Sequence, residues 1–123
     1  MGWRHQLAGR IAQAVTVLAL LAVAMSGSRL AARSEPDCGA QIENAMALLA
    51  QQKAREAQQL ALTATKACPK EPAAYNMLGM TYDFENRFSE AQQAYRQAIS
   101  LDPKVAAFHD NLAVCYMRSG NPE

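Results

Sequence analysis

Tyr75-Asn76-Met77-Leu78-Gly79-Met80-Thr81-Tyr82, then Phe88, Ala91, Tyr95 and Ala98, then Pro103, is the stretch that decides how this 123-residue chain folds. Leu78 and Tyr82 are four residues apart, and Phe88, Ala91, Tyr95 and Ala98 recur at steps of three and four, so each set lies on one helical face. Gly79 and the alanines allow two helices to approach closely, and Tyr82 and Tyr95 fill the adjoining space. Asn86-Arg87 reads as the turn between the two helices. Pro72 suits a first helical turn, where a missing N–H costs nothing, whereas Pro69 and Pro103 end the helices before them.

Outward from that hairpin the chain repeats itself. Sliding residues 38–71 onto 72–105, an offset of 34, gives nine identities, among them Met46/Met80, the run Glu56-Ala57-Gln58-Gln59 on Glu90-Ala91-Gln92-Gln93, and Pro69/Pro103. A second shift of 34 aligns Ala45, Gly79 and Ala113, then Leu48, Tyr82 and Tyr116, and places Gly120-Asn121 beneath Asn86-Arg87. Repetition at this period marks a stack of supersecondary units. The expected helices are 39–51, 54–67, 72–85, 88–101 and 106–119. The fold class is all-α: antiparallel helix hairpins stacked as a short right-handed α-solenoid, preceded by an N-terminal hydrophobic leader helix.

With Tyr in place of Trp, Tyr75-x2-Leu78-Gly79-x2-Tyr82, Ala91-x3-Tyr95 and Pro103 match the tetratricopeptide pattern at its required spacing. Over residues 38–123 the chain resembles the tetratricopeptide repeat family. Residues 72–105 form the clear repeat. Residues 38–71 form a degenerate one, with Gln41, Asn44 and Ala61 where large apolar groups are usual, and residues 106–123 form a partial one in which His109 replaces an aromatic. The resemblance implies a protein or peptide partner held in a concave groove lined by the first helix of each hairpin. The groove candidates are Ile42, Met46 and Leu49; Asn76, Met80 and Asp83; and Asp110, Val114 and Met117. Some members clamp a C-terminal carboxylate with Lys and Asn on successive first helices. Asn111 stands at one such place, but Met77 lies 34 earlier and no Lys occurs in 72–85 or 106–119, so the clamp does not carry over.

Upstream, residues 1–35 carry Arg4, Arg10, Arg29 and Arg33 against Glu35 alone, while residues 36–123 hold eight basic and ten acidic side chains. Neither part concentrates positive charge as nucleic-acid binding requires. Arg4, His5 and Arg10 precede the apolar run 11–25, and small residues follow at Ser26-Gly27-Ser28, which is the composition of a secretory signal peptide. Between Arg10 and Arg29 lie 18 uncharged residues, so an uncleaved membrane anchor is the rival reading. Residues 1–28 are thus a signal peptide or N-terminal anchor and 29–37 a linker. The body is expected to be exported, periplasmic or secreted, or membrane-anchored, touching a membrane only through residues 11–28 if these are retained.

Groups able to do chemistry are scarce. His109 is the body's only imidazole and lies six residues from Cys115, on a different helical face, so no thiol–base pair forms; it is expected to be a partly buried face residue. Cysteine spacings of 30 and 47 fit neither a redox pair nor a zinc module. No catalytic or metal-ligating residue, cofactor or small-molecule substrate is evident. Cys38 and Cys68 fall at the start of the first helix and the end of the second, which an antiparallel hairpin brings to one side. A disulfide between them is expected, with Cys115 left as a small buried thiol. The fifth helix would lack its hairpin partner, so the chain is expected to be part of a longer protein or to cover that edge by association. The function expected is an exported scaffold for protein–protein interaction, not an enzyme. The alternatives are a membrane-anchored assembly or biogenesis factor, or the non-catalytic N-terminal part of a larger enzyme.

Overall fold

A computed structural model describes residues 37–120, so the leader, signal or anchor expected within residues 1–28 lies outside the described residues. Within 37–120 the structure consists of five helices with no strand: α1 Cys38–Ala50, α2 Ala54–Ala67, α3 Pro72–Phe84, α4 Phe88–Leu101 and α5 Ala106–Ser119. Each helix packs on the next in the chain, and the first helices α1, α3 and α5 also touch in succession. This is the all-α stack of helix hairpins that the sequence predicts. α1 and α3 each end one residue before the expected place, at Ala50 and Phe84, where the chain turns toward the left-handed residue of each hairpin.

The period of 34 is built into the backbone. Gln52, Asn86 and Gly120, spaced by 34, adopt positive φ of 62°, 59° and 72°. That left-handed residue turns the chain out of each first helix. Lys53 N–H then donates to Leu48 O and Arg87 N–H to Tyr82 O, both at 2.9 Å, satisfying equivalent carbonyls at two helix ends. The helix starts repeat too. Asp37 and Glu71 occupy equivalent caps, their carboxylates accepting from Ala40 N–H at 3.0 Å and Ala73 N–H at 3.3 Å, and Pro72 fills the first helical position. Tyr75 Oη donates to Pro69 O at 3.0 Å, and His109 Nε2 lies 2.8 Å from Pro103 O, the same six-residue link one period later. His109 is therefore exposed and tied to the preceding loop, not partly buried as expected; Phe108, its neighbour, is the buried ring. Gln41 stands at the same register, and its Oε1 is buried without a partner.

Two apolar clusters run through the stack. The first joins Ala45, Ala57, Ala61, Met77, Leu78 and Ala94, with Ile42, Leu49 and Leu60 packed against it. The second joins Ala91, Tyr95 and Cys115, with Phe88 and Leu112 against it, and Met80 and Tyr82 contact both clusters. Size is traded between equivalent sites. Tyr95 is buried where the first hairpin has Ala61, and Gly79 lies opposite it where the first hairpin has Ala45. A Cβ at Gly79 would stand 2.6 Å from two ring atoms of Tyr95, so the glycine is what admits the tyrosine.

Cys38 and Cys68 form a disulfide across the ends of α1 and α2, with Cα atoms 6.5 Å apart. Cys115 is a free thiol, fully buried on α5. At the end of the stack Leu112 packs into the second cluster and Tyr116 receives Arg96, both by a hydrogen bond from Nη2 to its hydroxyl and by the guanidinium over its ring. Among the described residues no helix is long and apolar enough to cross a membrane.

Candidate functional site

Because the hairpins repeat every 34 residues, equivalent positions on α1, α3 and α5 form rows across the face made by the first helices. One row is Ile42, Asn76 and Asp110; the next is Met46, Met80 and Val114; the third is Leu49, Asp83 and Met117. Met46 (52% exposed), Val114 (44%) and Met117 (68%) stand well into solvent, as does Phe84 (45%), one residue past the third row. Ile42, Leu49 and Met80 are half-buried and anchor the rows to the core. Asn76 is half-buried and Asp110 exposed. Leu49, Met80, Asp83, Phe84, Tyr95, Asn111 and Arg118 enclose a shallow pocket of about 210 Å³ in the middle of this face. All nine predicted groove residues thus lie on the first helices, with the exposed surface concentrated on Met46, Val114, Met117 and Asp110.

Asp83 occupies its row position without offering a free carboxylate. It is 7% exposed, and Arg118 Nη1 donates to its Oδ1 at 2.5 Å and to its carbonyl at 3.2 Å. Arg118 Nη2 also donates to Asn86 Oδ1 at 3.1 Å, and the guanidinium sits 5.4 Å from the Phe88 ring centre. Burial pushes the Asp83 carboxyl above its ordinary range, and Arg118 pulls it part of the way back. Asn111 Nδ2 donates to Asn76 Oδ1 at 2.9 Å, and Asn76 Nδ2 reaches Met80 Sδ at 3.7 Å.

Asn111 and Arg118 also line this pocket and are not among the nine candidates read from the period. Each pairs with a residue 35 positions earlier, Asn76 and Asp83, rather than 34. Contacts between neighbouring first helices join one register position to the next, so residues equivalent by repeat are not the residues that touch. A search of polar pairs at a spacing of 35 would have found both.

Other surfaces offer less. A larger cavity of about 440 Å³ beside the turns is lined by Arg55, Gln58, Gln59, Glu85 and Arg87. Its Arg87 is held by Glu90 at 2.9 Å and lies 4.7 Å from the Tyr82 ring centre, so most of its donors are spent inside the fold. Burial pushes the Cys115 thiol up, so it is held protonated and poorly nucleophilic, with Phe88 O accepting from Sγ at 3.7 Å. Among the described residues no group of three or more His, Cys, Asp or Glu could hold a metal ion.

The fold and this face define a helical-hairpin repeat scaffold, a class that works by presenting surface rather than by chemistry. Residues 72–105 match the family model described as Tetratricopeptide repeat, and the five-helix architecture over residues 37–120 fits a protein of that family. The matched repeat supports, in general terms, a scaffold for protein–protein interaction. A comparison with curated proteins found no match.

Proposed function

We propose that the chain is an exported, non-catalytic scaffold that binds a protein segment along the face of α1, α3 and α5. One observation carries this: Met46, Phe84, Val114 and Met117 expose large apolar side chains on a single face of first helices. Leaving such groups in contact with water costs free energy that a covering partner recovers, and exposed apolar surface rimmed by polar residues marks interaction sites. The rim here is Glu43, Asn76, Asp110 and Arg118. Flexible methionines suit a surface that must mould to a bound segment.

Export is supported by the basic, then apolar, then small-residue order of residues 4–28, and by a cysteine pair suited to an oxidising compartment. N-terminal sequencing of the mature protein distinguishes a cleaved leader from a retained anchor.

Peptide-display selection tests the binding function. The wild-type chain should enrich a consistent set of binders. Met46→Glu/Met117→Glu should lose them by at least about tenfold, the scale of ~1.4 kcal/mol. Gln93→Glu, on the opposite side of the stack, should keep them. Binders indifferent to the groove pair would contradict the proposal.

A further inference from the structure

We propose that the Cys38–Cys68 disulfide is a redox latch on α1, and that its reduction by a dithiol releases α1 from the stack while α3, α4 and α5 stay folded. The release rests on how α1 is packed and is independent of the function proposed above.

The two end helices of the stack are secured by different means. α5 is tied to α3 by the Asn111–Asn76 hydrogen bond and the Arg118–Asp83 ion pair, and to α4 by Arg96 donating to the Tyr116 hydroxyl. α1 buries Cys38 and Ala45, while Ile42, Leu48 and Leu49 reach the first cluster half-buried. Across from it α2 buries Ala57, Ala61 and Ala64, so small side chains meet small ones. The largest fully buried side chains among the described residues, Tyr95, Met77, Thr81 and Cys115, all lie on α3, α4 and α5. Less apolar area removed from water means less stabilisation for α1. Gln41 Oε1 adds a penalty, because it is buried on α1 without a hydrogen-bond partner and opening returns it to water. The disulfide offsets both. It joins the first residue of α1 to the residue that follows α2, across a separation of 30, and so limits how far α1 can stray.

Cys38 is 7% exposed and Cys68 half-buried, so an incoming thiolate meets Cys68 first. Its attack on Cys68 Sγ forms a mixed disulfide and breaks the bond to Cys38, whose electron pair leaves on Cys38 Sγ. That thiolate stands at the first residue of α1, where the helix dipole favours negative charge, and then takes a proton from water. The second thiol of the dithiol gives up its proton to water and attacks the mixed disulfide. Cys68 leaves as a thiolate and is protonated in turn, and the reagent closes its own disulfide. Two electrons have passed to the protein and the dithiol is oxidised. Once free, α1 withdraws Ile42, Ala45, Leu48 and Leu49 from the first apolar cluster, and the face of three first helices becomes a face of two.

Hydrogen–deuterium exchange followed by mass spectrometry tests this on the full chain, compared oxidised, reduced with dithiothreitol, and as Cys38→Ser/Cys68→Ser. In the reduced chain and in the variant, exchange over residues 41–50 should quicken about a hundredfold, the loop-closure scale for a separation of 30. Exchange over residues 95–101 of α4 should change by less than about threefold, as expected of an opening confined to one end. Gln41→Leu removes the buried unpaired amide, so in the reduced chain it should slow exchange of α1 by at least about threefold and leave α4 unmoved. Equal quickening of α1 and α4 would show that the bond secures the whole fold, and overturns the latch. Quickening of α1 by less than about tenfold would show that α1 holds without the bond, and overturns it as well. A Gln41→Leu chain whose reduced α1 exchanges as fast as before overturns the packing argument beneath it.

Discussion

Gly79→Ala is the smallest change that tests the packing of the clear hairpin. In an exposed helix interior this substitution normally stabilises by about 0.8–1 kcal/mol, because glycine is the weaker helix former. Here the added Cβ would stand 2.6 Å from Cδ1 and Cε1 and 3.0 Å from Cζ of Tyr95. These atoms belong to a rigid ring that is 1% exposed, so the ring cannot swing into solvent to make room. Overpacking of this kind costs about 1–3 kcal/mol. The net effect should be a loss of up to ~2 kcal/mol where propensity alone predicts a gain. Tyr95→Ala by itself opens a cavity and should cost ~3–5 kcal/mol, as for other large aromatic truncations. In that background Gly79→Ala should become stabilising, since the pair then matches Ala45 and Ala61 of the first hairpin. The double-mutant cycle should therefore show a coupling of ~1–3 kcal/mol. Urea denaturation followed by circular dichroism measures all four proteins. Gly79→Ala that is neutral or stabilising in the wild-type background, with no coupling to Tyr95, would refute the close approach.

Three further outcomes are expected. Arg118→Ala leaves Asp83 buried without its partner and should cost roughly 2–4 kcal/mol near neutral pH. Removing the cation raises the Asp83 pKa further, and stability tied to a raised carboxyl is present when it is protonated and lost as pH rises through its folded pKa. The penalty should thus shrink as pH falls through the raised Asp83 pKa, above the ordinary carboxylate range, and denaturation at neutral and at mildly acidic pH checks it. Cys115 should resist alkylation in the folded protein and react only on unfolding, as mass spectrometry of iodoacetamide-treated samples would show. Cys38→Ser/Cys68→Ser should lower stability by ~3–4 kcal/mol, the loop-entropy value for about 30 enclosed residues, measured by denaturation without reductant.

Much of this architecture is legible in the sequence because it depends on strictly local rules. Prolines at 69, 72 and 103 mark where helices stop and start, and small residues at 45, 57, 79 and 91 mark where they cross. Helices over 54–67, 88–101 and 106–119 follow directly from that punctuation. The positive φ at Gln52 was not legible, since glutamine carries no left-handed preference; only its place 34 residues before Asn86 identifies it. His109 misled for a related reason. It stands where Tyr75 stands, and what the position conserves in the structure is the hydrogen bond back to a proline carbonyl, not burial of a ring. The groove rows could be read from the period, but the Asn76–Asn111 and Asp83–Arg118 pairs could not. They depend on how one hairpin is rotated on the next, which no single repeat encodes.

The central claim is that the face formed by α1, α3 and α5 is the working surface of the scaffold. Amide chemical-shift mapping of the labelled chain against the tightest display-selected peptide tests it directly. Shifts should concentrate at Met46, Asn76, Met80, Phe84, Asp110, Val114 and Met117, and leave Gln59, Gln93 and Ser100 on α2 and α4 unmoved. Shifts gathered instead on α2 and α4, with the first helices silent, would contradict it.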